Sequence, residues 1–525
     1  MAGKTGRGQV SRSTGAAAPV VETDTVAVVA AEPGEAAALV ATEAGSAIAV
    51  ICMRQGGKDE RAALERALSA ATERGCRSLG APRVVDATNG GATDALLAEL
   101  RRLRPHRLSI ADPDPTHVSF DEEQGLAVHS APAERSAVAL DALAAARAYQ
   151  LELSLPVFVD CRRSDADERL GTASGLRYPA TTGWLTDGID GRLSAFLPTA
   201  AGVVRWTQSL PGSADWYGPE LLAGPRLMPG LRVVRDPNGF VHLFGLGRIA
   251  HKGAGDTVDV VHAAQYQTGS PLTPWHSLEG PNPNNENKSR EVGFPAAVFD
   301  TAGGLFVFVR NFGHSVSYRE QGADGAWRPW RHLSGARVAD DLAAVTTAQG
   351  DVELYARARD SVGVVRWYRP GRDAAWTEDR AVPFAPRPGS MTAGPEPGTV
   401  IYRDLRTNEP CLWWPGARAP LPLGGPDGEG PVTGVRGVDV DGWAYSLLVR
   451  SARDDECVVG AYAEGRADAG VWWNGVGGRA VGSPAVVRDR AGMVTLATLS
   501  AGSRPAVTHR ESPHSGFEFS SWHAV

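Results

Sequence analysis

The chain has 525 residues, 53 basic against 60 acidic, for a net charge of −7. That balance gives no support to nucleic-acid or anionic-membrane binding as the principal role, and the length calls for more than one domain. Five widely spaced cysteines (Cys52, Cys76, Cys161, Cys411 and Cys457) with no C-x-x-C pair argue against a disulfide framework or a cysteine-based zinc site.

Residues 1–23 form a polar Gly/Ser/Ala tail carrying Lys4, Arg7 and Arg12. It has no apolar run, so it reads as disordered, with no recognisable secretory signal. The expectation from the residues as written is a cytoplasmic protein. No other stretch has the length and apolarity of a transmembrane helix.

From Thr25 the pattern alternates strand and helix. Strands are predicted at 26–30, 47–53, 82–86, 107–111 and 155–160, and helices at 33–42, 59–75, 93–104 and 136–150. The helix at 59–75 is amphipathic: Arg61, Glu65, Arg66 and Glu73 mark one face, Leu64, Leu68 and Ala71 the other. Between 112 and 135 the reading is a polar loop that opens with Asp-Pro-Asp-Pro-Thr-His. The alternation predicts a Rossmann-like α/β domain over 24–175, with ligands at the carboxyl ends of its strands.

The rest of the chain repeats. Residues 294–333 read as four short antiparallel strands, the first two joined at Gly303. Copies align on Gly191, Gly239, Gly303, Gly350, Gly398, Gly442 and Gly492, spaced 44–50 residues apart with one spacing of 64. An aromatic or His on an outgoing strand follows, as in Val-Val-Arg-Trp at 203–206 and again at 364–367. A period near 45 residues with four strands each is the mark of propeller blades. The fold class expected is therefore α/β plus all-β, with a seven-bladed β-propeller over 176–525.

The order of elements before residue 175 resembles the PIG-L/LmbE-type zinc de-N-acetylases, which act on N-acetylglucosaminyl compounds. Some actinobacterial members also carry a propeller. In that family a His-Pro-Asp-Asp loop supplies two zinc ligands and the base, and a later His supplies the third ligand. The matching residues here are Glu32, Pro33, Gly34 and Glu35, with Arg135 at the third-ligand position. Glycine is no base, and a protonated guanidinium offers no lone pair to a metal. Arg135 beside Glu32 and Glu35 is expected to form an ion pair in place of the metal. A rebuilt site would draw on Glu35, Asp112, His117 and His129, with Asp114 on the same loop. No cofactor is expected, and zinc only if the site works. The resemblance also implies secretion as the alternative location.

The blades resemble the fucose-binding propeller lectins in their W-x-x-W and D-x-x-G elements. Periodic tryptophans (Trp206, Trp275, Trp367, Trp413, Trp522) read first as wedges between sheets. Irregular positions are the better sugar-binding candidates, namely Asn311, His314, Trp472, Trp473 and Asn474 with the Asn-rich insert at 282–287, and the recurring Trp327 and Trp330 are candidates beside them. Three readings remain open: a non-catalytic glycan- or amino-sugar-binding protein, an active metal-dependent de-N-acetylase, and a scaffold for a protein partner. The oligomeric state is not set by the sequence.

Overall fold

The computed structural model describes residues 23–525 apart from 86–90, 114–115, 122–124, 131–132, 163–179, 251–255, 268–271, 284, 323, 372–373, 454, 481, 501, 503 and 515. The predicted tail at 1–23 and the start of the propeller at 176 fall almost wholly outside the described residues.

The first elements are β1 (Thr25–Ala30), α1 (Pro33–Val40), β2 (Ala47–Cys52), α2 (Lys58–Glu73), β3 (Arg77–Ser78), β4 (Arg83–Val84), α3 (Ala92–Leu103) and β5 (Arg107–Ala111). A hairpin of β6 (Thr116–Asp121) and β7 (Gly125–Ser130) follows, then α4 (Ala133–Leu153) and β8 (Phe158–Arg162). The main sheet runs β3-β2-β1-β5-β8, with β4 also on β2, and its pairs are parallel. Alternate residues of β1 divide between two cores. Val26, Val28 and Ala30 pack with α1 and α2, and Ala27 and Val29 with α3 and α4. Burial on both faces is why β1 and β2 are apolar without a break. Chain order reverses between β1 and β5, so a crevice opens beyond Ala30 and Ala111.

The hairpin corrects the reading of a plain loop before α4. Thr116-His-Val-Ser-Phe-Asp121 alternates with period two, a strand signal that the Asp-Pro run before it obscured.

Seven antiparallel sheets follow, in consecutive strand order except that the strands at 226–227 and 232–235 of blade 2 both pair with the strand at 241–249: blade 1 at 185–223, blade 2 at 226–277, blade 3 at 296–333, blade 4 at 338–382, blade 5 at 392–422, blade 6 at 433–479 and blade 7 at 485–524. All seven aligned glycines lie between the first and second long strands of their blades at positive φ, from 73° to 98°, which L side chains rarely adopt. In blades 2, 3 and 7 an aspartate three residues earlier closes the turn. Asp236, Asp300 and Asp489 each accept from a backbone N–H four residues on.

Blade-to-blade packing makes this a closed seven-bladed β-propeller. In blade 3, Leu305, Val307 and Val309 join the core shared with blade 2, and Phe306 and Phe308 join the core shared with blade 4. Equivalent cores link 1 to 2, 4 to 5, 5 to 6 and 6 to 7, and one of Trp184, Leu193, Trp206, Ala485 and Ala497 joins blade 7 to blade 1. A small sheet cannot bury its own faces, and the ring gives each blade two neighbours. No helix among the described residues is long and apolar enough to cross a membrane.

Candidate functional sites

The crevice beyond β1 and β5 collects the family-aligned residues. Glu32 caps α1 and Pro33 opens it. Glu35, in the first turn, reaches back to accept the N–H of Ala31 at 2.6 Å, much as a capping-box carboxylate does. Arg135, near the start of α4, faces both acids. Its Nη2 is 3.4 Å from Glu32 Oε1 and its Nε is 3.9 Å from Glu35 Oε1. Arg54 donates to Glu32 at 3.0 Å and pairs with Glu134 at 2.8 Å. The Glu35 side chain is 1% exposed, and burial pushes its carboxyl above the ordinary range against the opposing pull of Ala31 and Arg135. The site is thus a plug of three carboxylates, Glu32, Glu35 and Glu134, and two guanidiniums, Arg54 and Arg135. Gly34 contributes no side chain.

Asp112 lies at the end of β5, half-buried, and Ser136 Oγ donates to the carbonyl of the next residue, Pro113. His117 and His129 are register partners in the backbone ladder of β6 and β7. Asp114 lies outside the described residues. Among the described residues no group of three or more His, Cys, Asp or Glu is placed to hold a metal ion.

In the propeller, Asn311 is buried. Its amide donates to Ser315 Oγ at 2.7 Å and Ser317 Oγ at 3.1 Å, so it straps a turn of blade 3. His314 takes the left-handed position of that turn, at φ 62°. Three tryptophans dock on the preceding blade. Trp330 donates its indole N–H to Leu278 O at 2.9 Å, Trp473 to Leu423 O at 2.8 Å, and Trp522 to Val476 O at 2.8 Å. Trp327 packs edge-on against Phe244 and His262. Trp472 is half-exposed and stacks on Phe517, with Asn474 exposed on the same strand. The Asn-rich insert ends in a short helix, Glu286–Arg290, whose N-cap Asn285 accepts from Lys288 N.

The structure adds a further site, which depends on strand register. Both Val-Val-Arg-Trp strands turn the Trp inward, Trp206 and Trp367 being buried, so alternation turns the Arg to the other face. Arg205 donates through Nε and Nη2 to Glu220, its register partner, at 3.0 and 2.6 Å. Exposed Tyr217 lies on the same outer strand. These three, with Arg192, Thr207 and Gln265, line a cavity of about 160 Å³ between blades 1 and 2. Blade 4 repeats the theme: Arg366 pairs with Glu353 and Asp379, and its guanidinium lies 4.3 Å from the Tyr368 ring. The two strands share the Arg before the Trp.

No family profile matches the chain, and no curated protein matches it. Among solved structures it is similar to AofleA from Arthrobotrys oligospora, at 11% identity and TM-score 0.38, over 59% of this chain and 89% of that one. It is similar to an ulvan lyase bound to its saccharide, at 11% and 0.38, over 66% and 97%. It is also similar to an Aleuria aurantia lectin in complex with Fucalpha1-6GlcNAc, at 13% and 0.34, over 56% and 94%. At these scores the fold assignment rests on the strand order of the chain itself.

Proposed function

We propose that the chain is a non-catalytic carbohydrate-binding protein, whose propeller takes sugar between blades and whose α/β domain is a degenerate PIG-L/LmbE-like unit. The observation that carries the binding half is the Arg205–Glu220 pair beside exposed Tyr217. A guanidinium and a carboxylate held side by side offer donors and acceptors to vicinal hydroxyls. An aromatic face next to them packs on the C–H face of a pyranose. Blade 4 carries the same three residue types, so several weak sites on one rigid disc gain avidity on a multivalent surface. A glycan array on the full chain, followed by calorimetry, tests this. Saturable binding that drops at least tenfold in Arg205→Ala and in Glu220→Gln is expected. Failure to bind any sugar rejects the reading.

The non-catalytic half rests on Arg135. Zinc takes His, Cys and carboxylate ligands and keeps an open position for water. Here the donors are Glu32 and Glu35, both facing a fixed positive charge, so the residues do not fit the ion. The His117–His129 register pair favours a second reading, a rebuilt metal site. Elemental analysis separates the two. Zinc at one equivalent, lost in His117→Ala or His129→Ala together with deacetylation of an N-acetylated amino sugar, establishes the rebuilt site.

A further inference from the structure

We propose that Arg403 and Arg450 form an oxyanion-recognition point beside the cavity between the α/β domain and the propeller, where they take the carboxylate of an acidic saccharide. The saccharide rests on the carbohydrate reading above; the oxyanion site does not. Arg403, at the end of a blade 5 strand, is 2% exposed, and Arg450, near the end of a blade 6 strand, is 1% exposed. Arg403 Nε donates to Asn408 Oδ1 at 3.0 Å, but its Nη1 and Nη2 are buried without an acceptor. Arg450 Nη2 donates to the Pro426 carbonyl, and its Nε and Nη1 are likewise buried without one.

Other arginines at this depth are satisfied differently. Arg310 pairs with Asp340 and donates to Asn311 O. Arg510 donates to three backbone carbonyls. A buried guanidinium without acceptors is costly. Burial and the neighbouring Arg403 charge push Arg450 down to about 10, and burial also lowers Arg403. Two planar forks suit a flat carboxylate, which accepts through both oxygens.

The contacts of both arginines lead to one cavity of about 950 Å³. Asn408, which orients Arg403, lines it, as do Gly428, where an added Cβ would lie 3.1 Å from Arg450 Nη2, and Ser451. Phe158 and Asp160 line it from the α/β side. Its walls also carry Asp427, Glu429 and Asp455. Arg107 and Arg453 line it as well, so the surround is mixed in sign and takes a single negative charge on a hydroxyl-rich body more readily than a multiply charged one.

The full chain is titrated with glucuronate, glucose and sulfate, reading melting temperature and heat. Glucuronate is expected to bind saturably and raise Tm, with glucose at least tenfold weaker. Arg403→Gln should weaken glucuronate at least tenfold. Arg450→Lys, which keeps the charge and loses the fork, should weaken it severalfold, and it stands in if Arg403→Gln does not fold. An effect of sulfate without one of glucuronate supports the oxyanion site and overturns its saccharide source. No response to either anion, or an equal response in both variants, overturns the site. So does an unliganded protein in which Asp427→Asn and Arg403→Gln lower Tm alike, since Asp427 then closes on the arginines. Binding lost in Arg205→Ala but kept in Arg403→Gln would belong to the blade 1 site, so the two readings fail separately.

Discussion

His262 sits in the middle of three imidazoles in blade 2. Its Nε2 is 3.0 Å from His242 Nδ1, and its Nδ1 is 3.2 Å from His276 Nε2. Neutral rings satisfy the chain, each giving one proton and accepting another. A second proton on His262 would have no acceptor. Burial pushes His262 down to about 2 and His242 to about 4. Both folded values lie below the unfolded value near 6.5. The stabilisation is therefore complete above about pH 6.5 and is lost as pH falls toward the folded values. At pH 5 the loss from His262 is on the order of 2 kcal/mol. Thermal melts from pH 7.5 to 5 should show Tm falling, with a shallower fall in His262→Phe. A pH-independent Tm would show that the chain of imidazoles does not hold in solution. At the other end of the molecule, Arg135→Ala leaves Glu35 buried with only Ala31 as partner. It should cost about 1–3 kcal/mol by urea denaturation, and adding Glu35→Gln should recover part of that.

Each blade is one element repeated, and the repeat is where sequence reasoning reached furthest. The seven glycines were legible because a left-handed turn position leaves few alternatives to glycine. Strands such as Leu305–Arg310 were legible because burial on both faces removes every polar residue but the last. The β6–β7 hairpin was not, since its alternation is only six residues long and the Asp-Pro run before it reads as a loop. The Arg205–Glu220 site was not legible because it depends on which residue faces which across two strands, and register is set by packing. The strand-end cluster was partly legible: alignment brought Glu32, Glu35 and Arg135 together, while Arg54 came from an unaligned loop. The docking tryptophans give a test at this scale. Trp330, Trp473 and Trp522 each join their outer strand to the preceding blade through one N–H. Replacing any of them with Phe keeps most of the ring and removes that bond. The expected cost is about 1 kcal/mol each, with Trp330 adding independently because it lies on another blade, whereas Trp473 and Trp522 meet on the Trp472–Arg479 strand and are the pair placed to couple. Replacement by Ala should cost about 3–5 kcal/mol. Denaturant midpoints of the single and triple variants check both figures, and strong non-additivity would mean that the seams are coupled.

At the scale of the whole molecule the ring must close between its first and last blades. Many propellers could close by sharing strands from both ends of the chain, but here blade 1 is built from residues 185–223 and blade 7 from 485–524, with no exchange among the described strands. Closure is therefore a matter of side-chain packing. Trp184, 2% exposed, fills the seam with Leu185, Ala485 and Val487, and its indole N–H reaches Ser483 O at 3.0 Å. Arg490 adds a contact to Ile189 O at 3.2 Å. The α/β domain is fastened at the same place. Phe158 of β8 belongs to this apolar cluster, Ala200 N donates to Val157 O at 2.9 Å, and Gln150 bonds Thr199 at 2.9 Å. Loss of Trp184 should thus loosen two things together, the ring and its attached domain. Trp184→Ala is expected to cost about 3–5 kcal/mol, whereas Trp443→Ala should change stability by less than about 0.5 kcal/mol, since Trp443 is 72% exposed. Calorimetry of the native chain should give one cooperative transition, because the β8 contacts join the domains at the seam. A separate α/β transition in the native protein would show that the seam does not couple them. Two transitions appearing only in Trp184→Ala would locate that coupling in this one side chain.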